Sequence, residues 1–447
     1  MTQPGPPETA THTAPQTEGD PALPRTVGFW GAALFPINGM IGSGIFALPA
    51  IMVAAVGTFA PWMMLAGAIL MLPLVMVFAT LSNQFDKNGG PVLYASSAFG
   101  RFFGFQAGWS RYGSGVVTVA ANTHVAIAYI AAVFPVLEDP TIKSTAVIGF
   151  IVFTTIINLV GMRQSVATLG VMTAIKIAPL LVLVVAGLTL RDPAVGIDLP
   201  QFSAIESVIL LTFYAYMAFE NATYAAGEMR NSTRNLPLAL ITTLFAVAAL
   251  YMMVMWAYLA IAPDVQGDES ALASAAGEVL GQSGVVLISI AAAFSIGANT
   301  LAGGTVIPRM TFGMAEQGTL PKAFAHVSPR FQTPDVSILF FGVSAILLSL
   351  WGGFLALAVA GTLSRLVMYL LTSMALPVLG QRKRIRGGPK PPFWHTAIAV
   401  LAAASTLWVA GQASVEAYQM LGFILVTGTV LFFVAARRDQ SAPAQTA

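Results

Sequence analysis

The chain has 447 residues, of which 56% are hydrophobic and 9% charged, with a formal net charge of +2 and a mean hydropathy of +0.77. Soluble domains carry about 25% charged residues, so this composition excludes a water-soluble globular protein and puts most of the chain in lipid. The absence of cysteine removes disulfides, thiolate metal sites and cysteine nucleophiles together.

Residues 1–25 are rich in Pro, Thr and Glu, with no apolar periodicity. They bury too little surface to fold and read as a disordered cytoplasmic tail, without the basic start and prompt apolar core of a signal peptide. Beyond them, apolar runs of about 18 residues or more mark membrane-spanning helices. Twelve are expected, over 28–56, 58–82, 103–134, 144–161, 166–190, 203–229, 237–262, 283–312, 336–351, 354–377, 394–412 and 416–436, with 437–447 as a second cytoplasmic tail. With the amino terminus inside, sixteen of the 21 Lys and Arg residues fall in cytoplasmic segments, including Lys87, Arg101, Arg163, Arg309 and the cluster from Arg382 to Lys390. The positive-inside rule therefore predicts a multi-pass cell-membrane protein with both ends cytoplasmic. The basic loops read as topology signals, and no nucleic-acid partner is expected.

The first run contains "PINGMIGSGIFALPA" over 36–50. Irregular backbone survives at membrane depth only where it is buried in protein or lines a watery cavity. Gly42, Ser43 and Gly44 have little side chain to shield their amides and low helix propensity. They can unwind and aim free N–H groups at an anion, helped by the positive end of the following half-helix. The competing reading is that Gly39, Ser43 and their neighbours only let another helix pack closely. A second interruption favours binding. The sixth run, "LLTFYAYMAFENATYAAGEMRNSTRNLP", places Glu220 and Asn221 mid-run, where a carboxyl is costly and functional by default. Paired broken helices in corresponding halves point to a transporter's central site. Their five-helix spacing suggests inverted repeats over 28–190 and 203–377, followed by two extra helices over 394–436.

These stretches resemble the amino acid–polyamine–organocation superfamily of transporters. "GSGIF", "GGPVLYASSAFG" (89–100), "INLVGMRQSVATLGVMTAIKIAPL" (157–180), "GEMRNSTRNLP" (227–237) and "GMAEQGTLPKAFAHVSPRFQTP" (313–334) follow its motifs in order. The resemblance implies an all-α integral membrane protein of twelve transmembrane helices, with the leucine-transporter fold of 5+5 inverted repeats plus two C-terminal helices. It implies uptake or exchange of amino acids or related amines. The substrate carboxylate would meet the amides of Gly42, Ser43, Gly44 and Ile45. Its ammonium would meet carbonyls near Met40 and near Met217 and Ala218, with Tyr214 and Phe219 as candidate aromatic gates. The chain departs from the family pattern at Ala218, where glycine is common, and at Ser232, where proline is expected. The helix-eight stretch "ANTLAGGT" also lacks an aromatic gate, which argues against a cationic substrate.

Ionisable residues inside the runs come next. Lys176 lies about 17 Å along a helix from Ser165, too deep to snorkel. In proton-coupled relatives a lysine here stands where sodium-coupled members hold an ion. A desolvated amine can release and regain a proton as the cavity opens to each side; the alternative is a static ammonium on helix-one carbonyls. Arg365 is the pseudo-symmetric deep cation of the second repeat. Its expected partner is Glu220, against other backbone, water or an acidic substrate side chain. Arg111 and Glu206 read as interfacial, and His124 as structural.

The leading reading is a secondary transporter that imports a small or medium neutral amino acid with a proton. The alternative is an amino acid or amine exchanger of the same fold without obligate proton coupling. An intramembrane enzyme would need paired carboxylates, a metal cluster or a nucleophile with its base. Only two acidic residues, Glu206 and Glu220, lie within the helices clear of the run ends at Glu228 and Glu416.

Overall fold

The protein was analysed as a computed structural model that describes residues 27–85, 90–161, 166–190, 197–224, 229–261, 269–385 and 391–440. The expected amino-terminal tail, most of the carboxy-terminal tail and the basic loop residues Lys87, Arg163, Arg191, Arg386 and Lys390 lie outside the described residues.

The described chain is helical throughout. In order it forms α1 (Phe29–Met40), α2 (Ser43–Val56), α3 (Ala60–Ser82), α4 (Gly90–Phe99), α5 (Arg101–Ala131), α6 (Pro140–Val160), α7 (Val166–Leu190) and α8 (Phe202–Tyr216). It continues with α9 (Asn221–Tyr224), α10 (Ser232–Ile261), α11 (Ala271–Glu316), α12 (Asp335–Ser349), α13 (Phe354–Ile385), α14 (Phe393–Ala410) and α15 (Val415–Gln440). Among the described residues, ten helical runs are long and apolar enough to cross a membrane; α12 is apolar but shorter.

Local chemistry sets the element ends. Pro61 and Pro140 sit in the first turns of α3 and α6, where a missing N–H breaks no bond. Asp139 caps α6 by accepting from the amides of Thr141 and Ile142. Gly100, at φ 94°, makes the sharp joint between α4 and α5 that an L side chain resists. α11 bends at Gly281, which holds φ 64° inside the helical run. The helix therefore starts twelve residues before the expected run at 283, with its first turns on the far side of the bend.

The bundle is organised around α5. Its most apolar stretch is 83% buried against 22% for α6 and α15, so α5 is a central post and the other two are peripheral. α5 packs against α13, α11, α12 and α4. Large apolar side chains such as Val171, Val185, Ile290, Phe423 and Val426 stay exposed on the outer helices. On a soluble protein such a belt would be a liability; on this one it is the lipid face.

The two interrupted helices meet beside that post. α2 packs on α8, and α1 on α9. A Cβ on Gly39 would lie 2.8 Å from the Ala218 carbonyl oxygen, and one on Gly44 would lie 3.1 Å from Ala215 Cα. The small residues of the first break therefore do let a neighbouring helix approach, and that neighbour is the other broken helix.

Candidate functional site

The first break is a two-residue joint. α1 stops at Met40, Ile41 (φ −77°, ψ 83°) and Gly42 (φ −127°, ψ −139°) leave helical geometry, and α2 restarts at Ser43. Each carbonyl freed by the joint has an acceptor role already filled. Lys176 Nζ donates to Asn38 O at 3.3 Å and to Ile41 O at 3.2 Å. Asn299 Nδ2 donates to Asn38 O and Gly39 O at 3.1 and 3.2 Å. Met40 O accepts from the Tyr251 hydroxyl at 2.8 Å and from the Gly42 amide at 2.9 Å. The donors are treated differently. The first amides of a helix have no intrahelical acceptor, and no side chain caps α2. Its leading residues Ser43 and Gly44 line a cavity of about 380 Å³ beside Gly42, whose own amide, expected to meet a carboxylate, is instead used on Met40 O.

The second break runs from Met217 to Glu220, between α8 and α9. Met217 is extended (φ −66°, ψ 162°) and Ala218 takes φ 76°, a left-handed conformation that costs an L residue about 1–2 kcal/mol. That twist divides the residues on either side. Met217 and Ala218 face the same cavity. Phe219 turns away and packs between Phe78 and Tyr369, with ring centroids at 5.1 and 5.5 Å.

Nine of the expected site residues therefore share one cavity, together with Gly39, Arg111 and Asn221. Met40, Gly42, Ser43 and Gly44 come from the first break, Tyr214, Met217 and Ala218 from the second, with Lys176 and Arg365 in the walls. Ile45, Phe219 and Glu220 are buried but do not line it. Phe219 is excluded as a wall residue because the Ala218 turn points it into the aromatic packing. One face of the cavity is closed by a polar knot. Ser43 Oγ donates to Asn122 Oδ1 at 2.6 Å, and the Tyr214 hydroxyl lies 2.7 Å from Ser43 Oγ and 3.0 Å from Asn122 Oδ1. The Tyr214 ring also packs edge-on against Phe354 at 5.8 Å.

Glu220 anchors a buried charge cluster behind the second break. Its Oε2 accepts from the Tyr369 hydroxyl at 2.9 Å. Its Oε1 lies 3.2 Å from Arg111 Nε and 3.6 Å from Arg365 Nη1. Arg365 Nε donates to Ser114 Oγ, and Arg111 Nη2 to Asn221 Oδ1. Arg111 is thus no interfacial residue; it lies ten residues into α5, about 15 Å along the axis. The depth test applied to Lys176 reaches it once α5 is known to start at Arg101. His124 bonds the Ser349 carbonyl between α5 and the end of α12, a structural role.

Sequence inspection passed over Asn38, Asn122, Tyr251 and Asn299. Each is a polar residue inside an apolar run, and in lipid such a residue needs a partner. Asn38 Nδ2 ties α1 to α7 through Leu169 O and Thr173 Oγ1. Tyr251 and Asn299 bond the backbone of the first break, and Asn122 belongs to the knot that closes the cavity.

Comparison with known proteins adds the family. The family model described as "Amino acid permease" matches residues 27–435. The chain belongs to the amino acid permease family. The permease is 28% identical over 434 residues to the serine/threonine exchanger SteT of Bacillus subtilis (strain 168), covering 92% of this chain and 95% of that protein. It is 25% identical over 456 residues to the methylthioribose transporter of the same organism, covering 93% and 94%. The permease is therefore a multi-pass membrane transporter of the amino acid–polyamine–organocation superfamily, and not an enzyme.

Proposed function

We propose that this permease is a secondary active transporter that imports an α-amino acid by proton-coupled symport, with the substrate held at the breaks of the first and sixth transmembrane helices. One observation carries the reading. At the first break the protein fills the acceptors and leaves the donors of Ser43 and Gly44 uncapped at a cavity wall. Such a joint suits a carboxylate, and the half-dipole of α2 adds to the attraction. Met40 O already holds two hydrogen bonds. The substrate ammonium accordingly falls to the second break, at Met217 and Ala218.

In this reading the fold has twelve crossings, counting α12 and dividing the Ser43–Ser82 run into α2, which completes the crossing begun by α1, and α3. They form two inverted five-helix repeats over 28–190 and 203–377 and two further helices over 394–436. Both ends lie in the cytoplasm of a cell-membrane protein. Lys176 couples the proton. Losing it would remove the positive charge that strengthens the Lys176 bonds to Asn38 O and Ile41 O, which links protonation to the shape of the first break. Rocking of the broken helices against the post would then expose the cavity to each side in turn.

A second reading is exchange without a proton, with Lys176 as a fixed brace. It draws on the name of the serine/threonine exchanger among the relatives and on the two carbonyls that already hold the Lys176 ammonium. The α-carboxylate requirement is common to both. Uptake of a radiolabelled amino acid mixture into proteoliposomes should be blocked by excess unlabelled amino acids. The matching amines, which lack the carboxylate, should not block it. Equal block by the amines would refute binding at the first break.

A further inference from the structure

The cavity carries more positive charge than an α-amino acid with a neutral side chain can balance. Among the described residues, the buried ionisable side chains are Arg111, Lys176 and Arg365 against the single anion Glu220. Buried charge without a counter-charge is costly, and a zwitterion brings none. Arg111 adds a geometric observation. It is 4% exposed, its Nη1 has no hydrogen-bond partner, and that atom lies 3.2 Å from where a Cβ on Gly115 would stand. Gly115, Arg111 and Arg365 all line the cavity. The unused donor therefore lies along the bare glycine face of α5.

The geometry points to a second anion subsite, formed by Arg111 and Arg365, that takes the side-chain carboxylate of a dicarboxylic amino acid. This assignment rests on the amino acid reading above and names its substrate class. It differs from the neutral side chain expected from the sequence, which weighed the breaks and set Arg111 at the interface. The spacing fits. The head of α2 is tied to α5 at Asn122 through Ser43, and the Arg365 guanidinium is tied to α5 at Ser114. Those positions are eight residues apart, about 12 Å along the axis. Glutamate, with carboxyl carbons about 5 Å apart and a hydrogen bond of about 2.9 Å at each end, spans about 11 Å between donors. Aspartate is one methylene shorter and bridges less well. Both arginines hold Glu220 Oε1, Arg111 through Nε at 3.2 Å and Arg365 through Nη1 at 3.6 Å, and Arg111 Nη1 is left with capacity to spare.

The test is a ligand panel on the purified full-length protein, read by thermal shift in detergent and by competition in proteoliposome uptake. Glutamate should stabilise and compete at concentrations roughly tenfold or more below those of serine or alanine, with aspartate between. Arg111→Gln, which leaves Arg365 to neutralise Glu220, should weaken glutamate binding more than serine or alanine binding, so that the preference is lost. Wild-type binding of serine or alanine with no competition from glutamate would overturn the subsite and spare the amino acid reading. Full stabilisation by chloride, with nothing added by glutamate, would show a separate inorganic anion there and overturn the dicarboxylate assignment. A shift from no amino acid would overturn both. The wild-type panel decides the matter even if the variant fails to fold.

Discussion

Arg111 on α5 and Glu220 at the second break approach to 3.2 Å, between Nε and Oε1, and both are buried. The contact joins the central post to the interrupted helix. Arg365 shares the same carboxylate oxygen at 3.6 Å. Removing the carboxylate leaves two guanidiniums facing each other, and breaking a buried pair in this way costs about 3–5 kcal/mol. Glu220→Gln should therefore lower the melting temperature of the detergent-solubilised protein and its folded yield. Adding Arg111→Met to that variant removes one of the stranded cations and should recover part of the loss. A Glu220→Gln protein as stable as wild type would show that the cluster carries little weight.

Ala218 holds φ 76°, so the break is built on a strained residue. Ala218→Gly should be tolerated, with stability changed by no more than about 1 kcal/mol, because relief of the left-handed penalty offsets the added chain entropy. Ala218→Val should abolish uptake, since a β-branched residue is a genuine outlier at that φ and Gly39 packs against this turn. Uptake assays on the two variants side by side check the ordering.

Tyr214 closes the cavity through its hydroxyl as well as its ring. Tyr214→Phe keeps the edge-on packing with Phe354 and loses the bonds to Ser43 and Asn122. A hydrogen bond is worth about 0.5–1.5 kcal/mol net, so the concentration for half-maximal uptake should rise about two- to tenfold. An unchanged value would remove the knot from the substrate's surroundings.

Much of this was legible in the sequence, and the limits have physical causes. Gly42–Ser43–Gly44 marked the first break because low propensity at membrane depth has few other uses. The burial of Lys176 was legible from its depth alone. The second break was placed correctly near Met217 and Ala218, but the side chain that follows was not. A single left-handed residue rotates Phe219 out of the cavity, and sequence does not encode a φ where alanine replaces glycine. Arg111 was missed because its depth depends on where α5 begins, and an apolar-run boundary is uncertain by several residues. The asparagines were missed for a different reason. Asn122 and Asn299 matter through partners more than 70 residues away, and only the folded chain brings those partners together.

Proton coupling through Lys176 is the claim on which the transport account turns, and uptake under an imposed gradient tests it most directly. Radiolabelled amino acid accumulation would be followed in proteoliposomes with and without an inward proton gradient, for wild type and Lys176→Ala. The account predicts gradient-driven accumulation by wild type. It predicts that Lys176→Ala loses accumulation and still exchanges substrate across the membrane. Wild-type uptake that ignores the gradient and requires substrate inside would contradict it, making the protein an exchanger and Lys176 a brace for the first break.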